Sequence, residues 1–167
     1  MANTDFIRGF YPVRHLNGAP VMANEYIVTT GATIYRGDLV SMAAAGTVGA
    51  SAADAGIIVI GVAAEYVSDS SSAGGKKILV FDDPHIVFGI QCVTGYAIAA
   101  TEVFATANHI AGAGNATTKN SGHELNSGAG NQMRVLGLVK TPDNAWGEHA
   151  EVEVVLVEHA LADATTI

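Results

Sequence analysis

The sequence contains little cysteine, little charge and no long apolar run, and each shortage excludes a class of protein. Cys92 is the single cysteine among 167 residues, so no intramolecular disulfide framework is possible. No window approaches the ~20 consecutive apolar residues of a transmembrane helix, and the N-terminus lacks the basic-then-apolar pattern of a secretory signal. We therefore expect a protein made in a reducing cytoplasm, with Cys92 buried as a small apolar side chain.

Basic residues are also scarce, which argues against nucleic-acid binding. Eight Lys and Arg stand against sixteen Asp and Glu, a net charge of −8, whereas phosphate contacts require clustered Lys and Arg. The imbalance is uneven, because the chain from Thr141 onward has six acids and no Lys or Arg, while Arg8 and Arg14 face only Asp5 in the first 16 residues. This distribution predicts an acidic body, a more basic N-terminal segment, and neither a nucleic-acid nor a membrane partner.

What the chain does contain is short β-branched runs between Gly-rich segments. Residues 78–81 and 86–93 flank the turn sequence Asp82-Asp83-Pro84-His85, which predicts a central β-hairpin. Alternation in its second arm places Phe88 and Cys92 on the apolar face. Further strands are expected at residues 25–30, 39–42, 57–67, 133–139 and 150–157. The pattern predicts an all-β fold, either a compact β-barrel or a β-tulip or sandwich of short antiparallel strands, with long loops and at most one short helix.

The remaining segments suggest the domain boundaries. Residues 1–20 are interrupted by Gly and Pro and are interpreted as an N-terminal arm, followed by a single β domain at residues 21–160 and a tail at residues 161–167. Within the domain, residues 108–131 are rich in Gly, Asn and Ser and predict a long loop. Residues 97–107 fit either a short helix or a loose crossover.

The N-terminal arm has the residue types of a binding surface. Large apolar and aromatic side chains are unfavourable in a solvated tail and often mark an interaction surface. Aromatic residues and Arg also dominate protein-binding hot spots. We predict an arm that orders on contact with a protein partner; a frayed terminus is the alternative. The candidate binding residues are Phe6, Ile7, Arg8, Phe10, Tyr11 and Arg14.

One row of side chains suggests a metal. His149, Glu151 and Glu153 alternate along a predicted strand and would therefore project from the same face. The favoured interpretation is a solvated face, since an antiparallel sheet usually keeps one face polar. A neighbouring strand would have to supply another ligand, and residues 133–139 contain no His, Asp or Glu.

Other chemical signals are weak. Asp82 and Asp83 suit a turn better than general acid–base catalysis, because adjacent side chains point apart. His85, His109 and His123 lack zinc-site spacing, and no phosphate-binding loop or GxSxG serine motif occurs. The sequence thus predicts no catalytic, cofactor-binding or metal residues, no cofactor and no enzymatic activity.

Several short stretches occur in an order that resembles a phage protein family. The stretches are IYRGDLV at 34–40, IGVA at 60–63, VFDDP at 80–84, IQ at 90–91, SGHEL at 121–125, RVLGLV at 134–139 and EVEV at 151–154. This order is similar to that of capsid decoration (cement) proteins of tailed bacteriophages, which have a compact β-barrel or β-tulip core. The resemblance covers residues 34–158, and the aromatic N-terminus and residues 108–131 depart from it.

The resemblance implies a virion structural protein. Such a protein binds the major capsid protein on the outside of the phage head and stabilises the capsid, commonly as a homotrimer, after synthesis in the host cytoplasm. Two alternatives stay open at this stage. One is another virion component, a tail-tube or shell subunit; the other is a metal-binding β-barrel module based on His149, Glu151 and Glu153.

Overall fold

The regular secondary structure of the described residues is almost entirely antiparallel β-strand, as the sequence predicts. A computed structural model describes residues 3–53, 56–70, 74–127 and 131–162. These residues contain short 3-10 turns at Ala44–Gly46 and Ala100–Glu102 and no α-helix, and none of their helical segments is long and apolar enough to cross a membrane. The strands are β1 (Tyr11–His15), β2 (Asn24–Ile27), β3 (Thr33–Ile34), β4 (Leu39–Met42), β5 (Val48–Ala50), β6 (Val59–Ala63), β7 (Val67–Ser68), β8 (Lys77–Phe81), β9 (Ile86–Gln91), β10 (Thr106–Gly112), β11 (Gly122–Asn126), β12 (Met133–Leu138) and β13 (Glu151–Leu156).

The strands form two main sheets and a two-stranded ribbon. One sheet has the order β1-β9-β13-β12-β10-β11, the other β2-β8-β6-β4-β5, and β3 pairs with β7. Each main sheet curls until distant strands meet, through a bridge between Val28 and Val48 in the five-stranded sheet and between Cys92 and Leu125 in the six-stranded sheet. Neither closure extends into a full ladder, so the fold consists of two strongly curled sheets and not of a closed barrel.

Two apolar clusters hold these sheets together. The larger one joins Phe88 and Val154 of the six-stranded sheet to Leu39 and Val62 of the five-stranded sheet. The smaller one lies within the five-stranded sheet, where Ile60 and its neighbours pack together. Strand β6 contributes to both clusters, which is why all five of its residues are buried. Cys92 and Phe88 lie in the larger cluster, as the alternation predicts.

The predicted central hairpin is wrong, although both of its strands exist. Strand β8 pairs with β2 and β6, whereas β9 pairs with β1 and β13. Residues 82–85 therefore carry the chain from one sheet to the other. The Asp82 carboxylate accepts hydrogen bonds from the side chains of Asn24 and Tyr26, so contacts with β2 hold this connection. Turn chemistry is local, whereas the choice of partner strands depends on residues far away in the sequence.

The predicted long loop at residues 108–131 is also wrong. Strands β10 and β11 form an antiparallel hairpin with the register Asn108 to Asn126 through Gly112 to Gly122. The loop was predicted because polar residues occupy the inward positions of these strands, where His109 and His123 are buried. An apolar alternation is therefore missing from the sequence. Residues 97–107 contain an isolated bridge from Ile98 to Gly147, the 3-10 turn and the start of β10. Residues 163–167 of the predicted tail lie outside the described residues.

The interpretation of residues 1–20 as an arm without secondary structure is wrong at β1. This strand pairs with β9 at the edge of the six-stranded sheet, with an irregularity between Pro12 and Arg14. An edge strand accommodates Pro, because its missing N–H removes no ladder bond on the outer side. Immediately before β1, Phe10 is only 2% exposed and belongs to the larger apolar cluster. The segment is therefore part of the folded body.

Candidate functional site

The N-terminal segment is fastened to β13 by two acidic residues. An Arg8 guanidinium nitrogen lies 2.7 Å from Glu151 Oε1, and the Tyr11 hydroxyl donates to Glu151 Oε2 at 2.8 Å. Arg14 Nη2 lies 2.7 Å from Glu153 Oε2. Glu153 is buried, and a buried carboxylate requires such a partner. The arginines thus neutralise acids that β13 would otherwise expose.

These pairs overturn the expectation of a solvated face at His149, Glu151 and Glu153. The two carboxylates are covered by the N-terminal segment and are each bound to an arginine, so they do not converge on a common point. His149 precedes β13, has a positive φ of 56° and lies 3.8 Å from Asp5. The three side chains therefore do not form the row that the alternation predicts.

Tyr11 is the centre of the N-terminal fastening. Burial, together with the hydrogen bond to Glu151, raises the pKa of Tyr11 well above its ordinary value. The Arg8 guanidinium lies 3.9 Å above the centre of the Tyr11 ring, within the range of a cation–π interaction. The ring covers Gly89 of β9 so closely that a Cβ there would overlap with it. The lack of a side chain at Gly89 therefore leaves room for the Tyr11 ring against β9.

A cavity of about 470 Å³ opens beside this segment. Its volume and its mixture of apolar walls and a few polar groups are typical of sites that receive a ligand or a partner's side chains. Four of the six candidate binding residues contribute to its lining, and three residues from elsewhere in the chain complete the polar and aromatic part. The lining includes Phe6, Arg8, Phe10 and Tyr11 together with Arg36, Phe81 and Asn120.

The cavity contains one cation that lacks an acidic partner. Arg8 is paired with Glu151, as described above. Arg36 is exposed and donates to the neutral side-chain oxygen of Asn120. Within the described ranges, no carboxylate lies within ion-pair distance of Arg36. The cavity therefore offers a positive charge to an acidic group, in a protein whose net charge is −8.

The six sequence-predicted binding residues have different environments. Phe6 is 61% exposed and Ile7 is 42% exposed, so both offer apolar surface to a partner. Phe10 does not, because it is a core residue. Tyr11 is half-buried, and its hydroxyl is bonded to Glu151. Arg8 and Arg14 retain partial exposure but are bound to the acids on β13.

Sequence reasoning missed the far wall of the cavity. Arg36 precedes β4, Phe81 ends β8 and Asn120 precedes β11, so no local spacing connects them. Arg36 and Asn120 are brought together by a bridge between their backbones and by backbone hydrogen bonds on either side of it. Only the long-range pairing of distant segments reveals this wall.

A separate cluster of buried polar groups joins the two sheets. His123 Nδ1 accepts the Leu39 N–H at 3.1 Å, and His123 Nε2 lies 3.5 Å from Asp38 Oδ1. The His109 ring lies 4.7 Å from that of His123, and its Nδ1 is 2.8 Å from Gln132 Oε1. A neutral imidazole carries one N–H, which His123 directs at Asp38. The cluster connects β10, β11 and the start of β4.

This cluster combines Asp, His and Ser, but its bonding does not suit nucleophilic catalysis. The Ser121 hydroxyl donates to the Asp38 carboxylate and accepts a hydrogen bond from the backbone N–H of His123 at 2.9 Å. An activated serine would instead donate to an imidazole nitrogen. Burial lowers the pKa of His123 to about 3 and raises the pKa of Asp38. The network therefore fastens the sheets together, and it presents no activated nucleophile.

Comparison with known proteins adds no constraint on function. No protein-family model, curated protein or solved structure matches the chain. The likeness to decoration proteins therefore depends on the short sequence stretches alone.

Proposed function

We propose that the chain is a virion structural protein that decorates and stabilises the outside of a tailed-phage capsid by binding the major capsid protein. The cavity beside the N-terminal segment carries this proposal. It combines exposed apolar surface at Phe6 with the uncompensated charge of Arg36. Aromatic and Arg side chains at a concave surface are the usual anchors of a protein–protein contact. The ordered sequence stretches support the same function.

The body of the protein suits this role. Two curled sheets share a continuous core, and the N-terminal segment is fixed to β13 by ion pairs. The binding surface is therefore held in place before contact, which avoids part of the entropy cost of association. An acidic loop of the capsid protein, carrying an apolar side chain beside its carboxylate, would match both features of the cavity. Such a partner requires no cofactor.

Capsid binding by matched phenylalanine variants tests the proposal. Phe6→Ala and Arg36→Ala should each weaken binding at least tenfold, about 1.4 kcal/mol, because each removes one anchor of the cavity. Phe104→Ala is the control, since Phe104 is 67% exposed but does not line the cavity. The measurement is co-sedimentation with undecorated, expanded capsids assembled from the major capsid protein of the same phage.

The outcomes separate the candidate roles. A wild-type protein that does not bind these capsids contradicts the decoration role. Equal weakening by Phe104→Ala and Phe6→Ala would place docking elsewhere on the surface. Tubes or shells formed by the protein alone, visible in negative-stain images, would favour a tail-tube or shell subunit.

A further inference from the structure

Two histidines and an aspartate meet where the end of β1 approaches the connection between β8 and β9. His15 Nε2 lies 3.0 Å from Asp83 Oδ2, and His85 Nδ1 lies 3.2 Å from Asp83 Oδ1. One ligand atom from each residue lies within 4.8 Å of the other two. None of the three residues lines the cavity assigned to capsid binding. The sequence hides the cluster, because His15 is 68 residues away from Asp83.

The hydrogen bonds and the exposure of the three side chains suit the binding of a cation. The backbone N–H of His85 and the His15 side chain donate to the Asp83 carboxylate. Each oxygen of this carboxylate faces one imidazole. The His15 side chain is 2% exposed, whereas those of Asp83 and His85 are 45% and 62% exposed. The cluster thus has a rigid buried ligand and an open side through which an ion can enter.

We propose that His15, Asp83 and His85 form a binding site for a divalent transition metal of the zinc class. Two imidazole ligands favour Zn²⁺ and other divalent transition metals, whereas Mg²⁺ and Ca²⁺ prefer sites made of oxygen ligands alone. Bonds of about 2.0–2.2 Å in a tetrahedral site separate neighbouring ligand atoms by about 3.3–3.6 Å. The two nitrogen–oxygen distances, each to a different oxygen of Asp83, are close to this spacing, and one ligand atom from each residue lies within 4.8 Å of the other two. Three protein ligands leave a fourth position for water.

Metal binding requires one local rearrangement. His15 Nδ1 accepts the Asn17 N–H at 3.3 Å, so the proton of a neutral His15 lies on Nε2 and points at Asp83. Coordination at Nε2 moves that proton to Nδ1, and the hydrogen bond from Asn17 is lost. That bond is long, and Asn17 lies in an exposed turn where water replaces it. His85 coordinates through Nδ1 and keeps its proton on Nε2.

A metal at this position would connect β1 to the segment that crosses between the sheets. His15 ends the edge strand β1, while Asp83 and His85 belong to the inter-sheet connection. An ion that binds only the folded state stabilises the protein, and the stabilisation grows with the logarithm of the ion concentration once this concentration exceeds Kd. This site therefore adds a second fastening to the N-terminal segment, besides the ion pairs on β13.

Zinc titration of the full chain, free of any affinity tag, tests the site. Competition with a chromogenic chelator should show stoichiometric Zn²⁺ binding that His85→Ala weakens at least tenfold. His85 is exposed, so this variant should fold as the wild type does. His149→Ala is the matched control, because His149 also lies near an acid, Asp5, but belongs to no three-residue cluster among the described residues. Its zinc affinity should equal that of the wild type.

Two further measurements keep the proposal falsifiable. Zn²⁺ should raise the Tm of the wild type and leave that of His85→Ala unchanged, while Mg²⁺ should raise neither. Co²⁺ should give visible d–d absorption in the wild type that is lost in Asp83→Asn. Zinc affinity that is equal in the wild type and His85→Ala, or that falls as much in His149→Ala, would overturn the site and leave the capsid proposal untouched.

Discussion

Buried histidines are the residues whose protonation most directly links this fold to pH. Burial lowers the pKa of His109, His123 and His159 below the ordinary value. For His123 the pKa falls to about 3, and the neighbouring His109 adds to the effect of burial. Each of these rings binds a proton less readily in the folded protein than in the unfolded chain, where histidine titrates near pH 6.5. Folding is therefore coupled to proton release.

Because folding releases protons, the free energy of unfolding should decrease as the pH falls. Because the folded pKa values are depressed, the histidines contribute stability fully above about pH 6.5 and lose it as the pH falls below that value. For His123 the loss continues towards about pH 3. Burial raises the pKa of Asp38 and Glu124 and so opposes part of the loss. With three histidines against two carboxyl groups, we expect the urea midpoint to fall steadily between pH 7 and pH 5.

The control for acid sensitivity is a variant without one buried imidazole. His123→Gln should be less stable than the wild type at pH 7, because it loses contacts with Asp38 and Leu39. Its urea midpoint should nevertheless depend less on pH. A wild-type midpoint that stays constant from pH 7 to pH 5 would contradict the argument.

At the scale of elements, two phenylalanines distinguish a folded strand segment from a binding arm. Phe10 is 2% exposed and packs in the larger core, whereas Phe6 is 61% exposed. Phe10→Ala should lower the free energy of unfolding by about 3–5 kcal/mol, and Phe6→Ala should change it by no more than about 0.5 kcal/mol. Urea denaturation measures both values. Equal and small effects would restore the interpretation of residues 1–20 as a separate arm.

The positions of the strands can be predicted from the sequence better than the strands with which they pair. Strands at β4, β6, β9, β12 and β13 could be predicted because β-branched residues mark them. The strands that pair with β8 and with β9 could not be predicted, because both β8 and β9 are apolar and their partners lie far away in the sequence. Strands β10 and β11 were hidden by inward histidines whose partners, Asp38 and Gln132, lie elsewhere in the chain.

The candidate site was predictable only in part, for the same reason. Aromatic and Arg residues marked the N-terminal segment as a binding surface, and four of the six named residues line the cavity. The wall formed by Arg36 and Asn120 depends on a long-range bridge. The cluster of His15, Asp83 and His85 depends on β1 pairing with β9. Neither produces a local sequence pattern.

At the scale of the whole molecule, exposed apolar side chains favour self-association. Met22, Met42 and Ile58 are all more than half exposed. Closed homo-oligomers commonly cover such surface. We therefore propose a homotrimer, in keeping with the resemblance to decoration proteins.

Light scattering after size-exclusion chromatography checks this proposal. The expected mass is three times that of the 17.1 kDa chain, and it should persist at high salt because apolar contacts are not screened. A strict monomer at micromolar concentration would contradict the proposal. The same measurement on Phe6→Ala and Phe104→Ala shows whether either variant changes assembly before capsid binding is compared.

The central place of β13 affects how the protein is made. This strand lies between β9 and β12, although it follows both in the chain. A ribosome must therefore synthesise the chain through residue 156 before the six-stranded sheet can be completed. Until then, β9 and β12 expose unpaired edges that invite wrong association. The five-stranded sheet, whose strands end at Phe81, can form earlier, so the six-stranded sheet is expected to be the part of the nascent chain that needs protection until translation has passed β13.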